Sequence, residues 1–177
     1  MPGDQSRFSG AGHSRGRGLV AQAAWHATNN LVFKKWWLPA RARPAILRAF
    51  GASVGHGVVI KQDVRIHWPW KLAVGDNSWI GEGSWLHSIE PIWVGSNVCI
   101  SQAAFITAGS HDAASPTFEY DNAPVRIGDG SWIAARAIVL RGVTIGERSI
   151  VAANTVVARS TQPDARVRPD TATAPLP

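Results

Sequence analysis

At 177 residues the chain is long enough for one ordinary domain and too short for two enzyme-sized ones. A hydrophobic content of 45% with 17% charged residues excludes wholesale disorder, and the single cysteine, Cys99, excludes an internal disulfide framework and fits a reducing compartment. The net charge of +6 suits an anionic partner, whether nucleic acid, anionic lipid or a phosphorylated small ligand, without choosing among them.

Residues 1–18 are polar and rich in Gly, Ser and Arg, with no apolar stretch of a secretory signal, and read as a flexible basic arm. No run further on approaches the roughly 18–20 apolar residues that span a bilayer. Residues 19–52 read as a helical segment that stops at Gly51. In it Ile46, Leu47 and Phe50 are expected to cover the open end of the domain that follows. The same segment carries Lys34, Lys35, Trp36, Trp37, Arg41, Arg43 and Arg48. Basic and aromatic residues together permit peripheral attachment to a membrane surface, although a cap with a solvated basic face explains them more simply.

From Val54 an aliphatic residue recurs every six positions: Val54, Ile60, Ile66; Val74, Ile80, Leu86; Val94, Ile100, Ile106; Ile127, Ile133, Val139; Ile145, Val151, Val157. Four residues after most of these sits a second, mostly small class that includes Ser78, Ser84, Ala104, Ser131, Ala137 and Ser149. A period of six is neither the 3.6 of a helix nor the alternation of a simple strand. It predicts an all-β parallel β-helix over 53–160, each hexapeptide a short strand and a corner, three to a triangular coil, five coils in all. Glycine follows the aliphatic at Gly55, Gly75, Gly81, Gly95, Gly128 and Gly146, where a corner needs positive φ or close backbone approach.

Every register break falls between the third strand of one coil and the first of the next. The last break inserts a long loop, residues 107–126, on a scaffold otherwise built of short connections, which marks it for function. Trp79, Trp85, Trp93 and Trp132 each precede an inward aliphatic and should face outward, where packing against identical subunits would cover them. Residues 161–177, rich in Pro, Thr and Ala, read as a disordered tail.

The repeat, interrupted by one loop bearing Gly109-Ser110-His111-Asp112, resembles the hexapeptide-repeat acyltransferases, and within them the polysaccharide branch of colanic acid biosynthesis acetyltransferases. Segments that carry the resemblance include LRAFGASVGHGVVI (47–60), WPWKLAVGD (68–76), ISQAAFITAGSHD (100–112) and IGDGSWIAARAIVLRGVTIG (127–146). The resemblance implies a left-handed coil, a homotrimer with its sites between subunits, acetyl-coenzyme A as donor and a saccharide hydroxyl as acceptor. It also implies His111 as the catalytic base and coenzyme contacts at Ala135, Ala153, Ala158 and Arg159. An imidazole, with an ordinary pKa of about 6.5, can take the proton that a weakly nucleophilic hydroxyl must lose.

His67, His87 and Thr107 occupy equivalent third-strand positions and should stack beside the loop. His87, Ser88, Thr107 and Asp112 are the candidates for acceptor binding; family members often carry Asp or Asn near His87. His13, His26 and His56 read as surface or packing residues. The family's Gly-Asn-Pro-Ala segment after the last coil is replaced here by Arg166-Val167-Arg168-Pro169. Either Arg159, Arg166 and Arg168 reach the coenzyme phosphates by another route, or coenzyme binding is weakened.

Two other classes fit the architecture. One is a zinc hydrolyase of the γ-carbonic-anhydrase type, which would draw on His67 and His87 but lacks that family's two histidines five apart. The other is a non-enzymatic trimeric scaffold. No metal is expected in the favoured reading. No nucleic-acid motif accompanies the positive charge. The composition and the family place the protein in the cytoplasm, with the inner membrane face a further location.

Overall fold

A computed structural model describes residues 5–169. The first coil comprises β1 (Ser53–Val54), β2 (Val59–Ile60) and β3 (Arg65–Ile66), and the second β4 (Leu72–Val74), β5 (Trp79–Ile80) and β6 (Trp85–His87). The third has β7 (Ile92–Val94), β8 (Cys99–Ile100) and β9 (Phe105–Thr107), and the fourth β10 (Val125–Ile127), β11 (Trp132–Ile133) and β12 (Ile138–Val139). The fifth has β13 (Thr144–Ile145), β14 (Ile150–Val151) and β15 (Val156–Val157), after which β16 (Arg166–Val167) begins a sixth turn. Three all-parallel sheets result, in the orders β1-β4-β7-β10-β13, β2-β5-β8-β11-β14-β16 and β3-β6-β9-β12-β15. Each sheet is one wall of a three-sided prism, as the period of six predicts.

The inward column is apolar. Of the fifteen aliphatics in the repeat, all but Val54 are buried, and Val54 packs against the core from its rim. Truncating one of these side chains to alanine costs about 2–5 kcal/mol. The small residues at the corners lie inside the bend, and the serines there close backbone gaps. Ser78 Oγ donates to the Gly95 carbonyl (2.8 Å) and accepts from Val98 N–H (3.0 Å), and Ser131 Oγ donates to Gly146 O (2.9 Å). The glycine that follows each aliphatic answers to close approach rather than to a left-handed φ. A Cβ on Gly75 would lie 2.6 Å from the Gly95 carbonyl carbon of the next coil.

The N-terminal cap is α1 (Leu19–Thr28), one π-helical stretch (Asn29–Phe33), a turn, and α2 (Arg43–Ala49), so the helical segment is interrupted over residues 34–42. Leu47 is fully buried and Ile46 and Phe50 pack on the core, which closes that end of the column. Arg43, expected on a solvated face, is instead buried, and its guanidinium donates to the Phe33, Lys35 and Ile60 carbonyls (2.8, 2.6 and 3.2 Å).

Two expected flexible segments are ordered. Residues 5–18 lie across the long loop, because Glu119 accepts from Ser9 N–H and Oγ (3.0 Å each) and from Gly10 N–H (3.1 Å). Trp70 Nε1 donates to Arg15 O (2.7 Å) and Lys71 Nζ to Ser14 O (2.6 Å), which ties down the rest of the arm. The expected tail also begins late. Thr161 N–H donates to Thr144 O (2.9 Å), and β16 pairs with β14. Residues 1–4 and 170–177, the remainder of the expected arm and tail, lie outside the described residues.

Candidate active site

The long loop leaves the corner between the third sheet and the first, the corner on which all the register breaks stack. Its base is a narrow ladder: Ala123 N–H to Ala108 O (3.1 Å), Asp121 N–H to Ser110 O (2.9 Å) and Asp112 N–H to Glu119 O (2.8 Å), with an antiparallel bridge between His111 and Tyr120. An Asp121–Arg141 ion pair joins the returning strand to the next coil. Gly109 is required for packing: a Cβ there would stand 2.6 Å from Ile89 Cγ2 and 3.0 Å from His87 Cε1.

His111 sits between aromatic rings, parallel to Phe118 at 4.5 Å and stacked on Tyr120 at 5.1 Å, with Phe8 of the arm at 5.6 Å. Its Nδ1 lies 2.8 Å from the Phe118 carbonyl oxygen. A carbonyl only accepts, so Nδ1 carries a proton, and in the neutral imidazole Nε2 is the nitrogen with the free lone pair.

A cavity of about 460 Å³ opens beside this ring, lined by His13 and Arg15 of the arm, Gln22 and His26 of α1, His67, Trp68, His87 and Ile89 of the corner, and His111 and Tyr120 of the loop. His67 and His87 meet edge to face at 5.0 Å. The Thr107 hydroxyl gives its proton to Gly109 O (3.0 Å) and so accepts from His87 Nδ1–H (3.0 Å), leaving His87 Nε2 as an acceptor. Burial lowers the His87 pKa, and the nearby His13 adds to the effect. His67 is lowered to about 4, chiefly by burial and then by His87, His26, His13 and Lys71. Both back-wall imidazoles are therefore held toward the neutral form. The Trp68 indole N–H is buried in the same wall with no hydrogen-bond partner.

Of the expected site residues, His111 and His87 line this cavity together. Thr107 lies behind it and orients His87. Ser88, expected to touch the acceptor, is fully buried: its hydroxyl donates to Trp68 O (2.9 Å) and accepts from Trp68 N–H (3.0 Å), a structural role that leaves nothing for a ligand. Asp112 is exposed and its carboxylate accepts from Ala114 N–H (2.8 Å) within the loop. Ala135 and Ala153 lie at the corner between the second and third sheets, while Ala158 and Arg159 follow β15 on the loop's own corner. One protomer therefore does not gather these four around His111. The Arg166 guanidinium bonds to the carbonyls of Arg148, Asp164 and Ala165 (3.1, 2.9 and 3.2 Å), whereas Arg159 and Arg168 are exposed.

His13 and His26, expected as surface or packing residues, line the cavity together with Arg15, Trp68 and Tyr120, and no local signal in the sequence marks any of the five for it. They meet only because the arm and α1 fold back over the loop. Among the described residues, no three His, Cys, Asp or Glu side chains form a group that could hold a metal ion.

The pattern of the family described as bacterial transferase hexapeptide (six repeats) matches residues 124–159. WcaF of Escherichia coli K12, named provisionally as a colanic acid biosynthesis acetyltransferase, is 38% identical over 160 residues, covering 89% of this chain and 87% of its own. The hexapeptide-repeat acetyltransferase VCA0836 of Vibrio cholerae, solved in complex with acetyl coenzyme A, superposes with a TM-score of 0.77 at 26% identity, covering 89% of this chain and 85% of that one. A maltose O-acetyltransferase from Clostridium difficile 630 shares the fold, with a TM-score of 0.73 at 23% identity over 82% of this chain and 79% of that one. With the repeat, the interrupting loop and these relatives in agreement, the chain belongs to the hexapeptide-repeat acetyltransferases.

Proposed function

We propose that the protein transfers an acetyl group from acetyl-coenzyme A to a hydroxyl of a saccharide, an exopolysaccharide unit or its lipid-linked precursor, with His111 as general base. The observation that carries this reading is the Nδ1–H···O bond from His111 to Phe118, which selects the neutral tautomer whose Nε2 is the accepting nitrogen, on a ring that lines the cavity. In the reaction His111 Nε2 takes the hydroxyl proton as the oxygen attacks the thioester carbonyl carbon. The C–S bond then breaks, and the imidazolium returns its proton to the departing thiolate. The Phe118 carbonyl stabilises the imidazolium in between. The neutral back-wall imidazole of His87 offers an acceptor to a sugar hydroxyl. Cys99 has no part in the scheme: it lies on the second sheet, in register between Trp79 and Trp132, away from the loop.

The separation of His111 from Ala135 and Ala153 supports a site shared between subunits, in which the loop of one protomer faces the second-to-third-sheet corner of the next. In a homotrimer coenzyme would lie along that seam, with Ala158 and Arg159 at its far end. Among the described residues no helix is long and apolar enough to cross a membrane.

Thiol release from acetyl-coenzyme A in the presence of a glycan panel tests the proposal. His111→Ala should lose at least about a hundredfold in turnover while retaining the wild-type circular dichroism spectrum. Full turnover by that variant would reject the assigned role.

A further inference from the structure

We infer that the outer side of the N-terminal cap docks on an anionic lipid bilayer. From Leu19 to Phe33 there is no Asp, Glu, Lys or Arg, although much of this segment faces solvent. Gln22, Trp25 and Phe33 turn inward and are buried, while Val20, Ala24, Ala27 and Leu31, spaced four, three and four apart, lie exposed on one helical face. Val20 is 86% exposed, Leu19 75% and Leu31 68%. The chain then presents two tryptophans, Trp36 at 82% and Trp37 at 54% exposure. Large apolar side chains left in water over a continuous stretch mark a surface that meets another phase or partner.

Charge decides which. Residues 5–62 contain nine Lys and Arg and no Asp or Glu; only Arg43 of the nine is buried. Lys34, Lys35 and Arg41 bracket the two tryptophans. A second copy presenting this surface would meet its own sign of charge, whereas an anionic headgroup layer complements it. Indoles are well suited to the boundary between headgroups and acyl chains. The same α1 helix lines the cavity with Gln22 and His26 on its opposite side, so docking would leave the cavity open beside the bilayer rather than pressed against it. The docking itself does not depend on the identity of the acetyl acceptor.

The test is sedimentation of the full-length protein with vesicles of phosphatidylcholine, alone and with phosphatidylglycerol. Binding is expected only with phosphatidylglycerol and should weaken as salt is raised. The double variant Trp36→Ser/Trp37→Ser should reduce the bound fraction at least about tenfold, and Lys34→Gln/Lys35→Gln several-fold, with turnover on a soluble acceptor unchanged in both. The absence of binding, or equal binding to both vesicle types, overturns the inference. A smaller assembly for the tryptophan variant in lipid-free sedimentation also overturns it, since a second copy would then cover this face.

Discussion

His67 feels its surroundings more than any other histidine in the cavity wall, with burial foremost and the adjacent cationic and imidazole groups adding to it. Its folded pKa of about 4 lies below the ordinary value of about 6.5, so between these pH values the unfolded chain binds a proton that the native protein refuses. Stability should therefore be fully present above about pH 6.5 and decline as pH falls toward 4. With solvent screening at this half-buried site, the loss is on the order of 1–2 kcal/mol. His67→Gln should flatten that slope, read as urea midpoints across the range. Trp68 supports a second prediction. A buried donor without a partner costs about 1–3 kcal/mol, which an acceptor atom on a bound ligand would recover. Trp68→Phe should accordingly raise the KM for the saccharide with little change in the KM for acetyl-coenzyme A, measured by steady-state thiol release.

The arm and the loop act as one element. Glu119 gathers three donors from Ser9 and Gly10, and Phe8 closes edge-on against Tyr120 at 5.1 Å, beside the His111 ring. Further along the arm, His13 Nδ1 meets Glu90 at 3.2 Å, and Glu90 also pairs with Lys71 at 3.4 Å. Removing residues 1–12 should leave the prism folded but free the loop, lowering kcat about tenfold or more; Glu119→Gln should do the same to a smaller degree. Circular dichroism and single-turnover kinetics would check both. The prism was legible in the sequence because each coil repeats one inward position, so a single period reports both the strands and their stacking. The loop was legible as a break in that period, and His111 through its TAGSHD context. The path of the arm was not, since its bonds to Trp70 and Glu119 span 55 to 110 residues and no periodicity links them. The surroundings of Ser88 were not legible for a related reason: a hydroxyl beside a corner reads alike whether it points into the bend or out of it, and only the approach of Trp68 decides.

At the scale of the whole molecule, two walls of the prism are apolar on the outside. The second sheet presents Val59, Trp79, Cys99, Trp132 and Ile150 before ending on Arg166, and the third presents Trp85, Phe105, Ile138 and Val156 after starting on Arg65; Trp79, Trp132 and Val156 are about half exposed. The first sheet is more polar, and there Arg126 lies 3.6 Å over the Trp93 ring. Two adjoining sticky walls and one wetter one suit a closed ring in which each protomer meets two neighbours. In the proposed homotrimer, Trp132→Asp should release monomers, read by analytical ultracentrifugation, and remove most of the acetyl transfer, because the proposed seam would be lost with it.

The two ends of the column differ. The entry end lies beneath Leu47, Ile46 and Phe50, whereas at the exit, among the described residues, only β16 and the turn around Thr161 lie over the last coil. A stack whose turns hold only their neighbours unravels from its weaker terminus. Fraying here would begin with β16, pass to Ala158 and Arg159 and then move inward, reaching the histidine-bearing loop only after the last two coils. A molecule that settled across those final turns would therefore act as a clasp, and the enzyme would be most securely wound while its donor was in place.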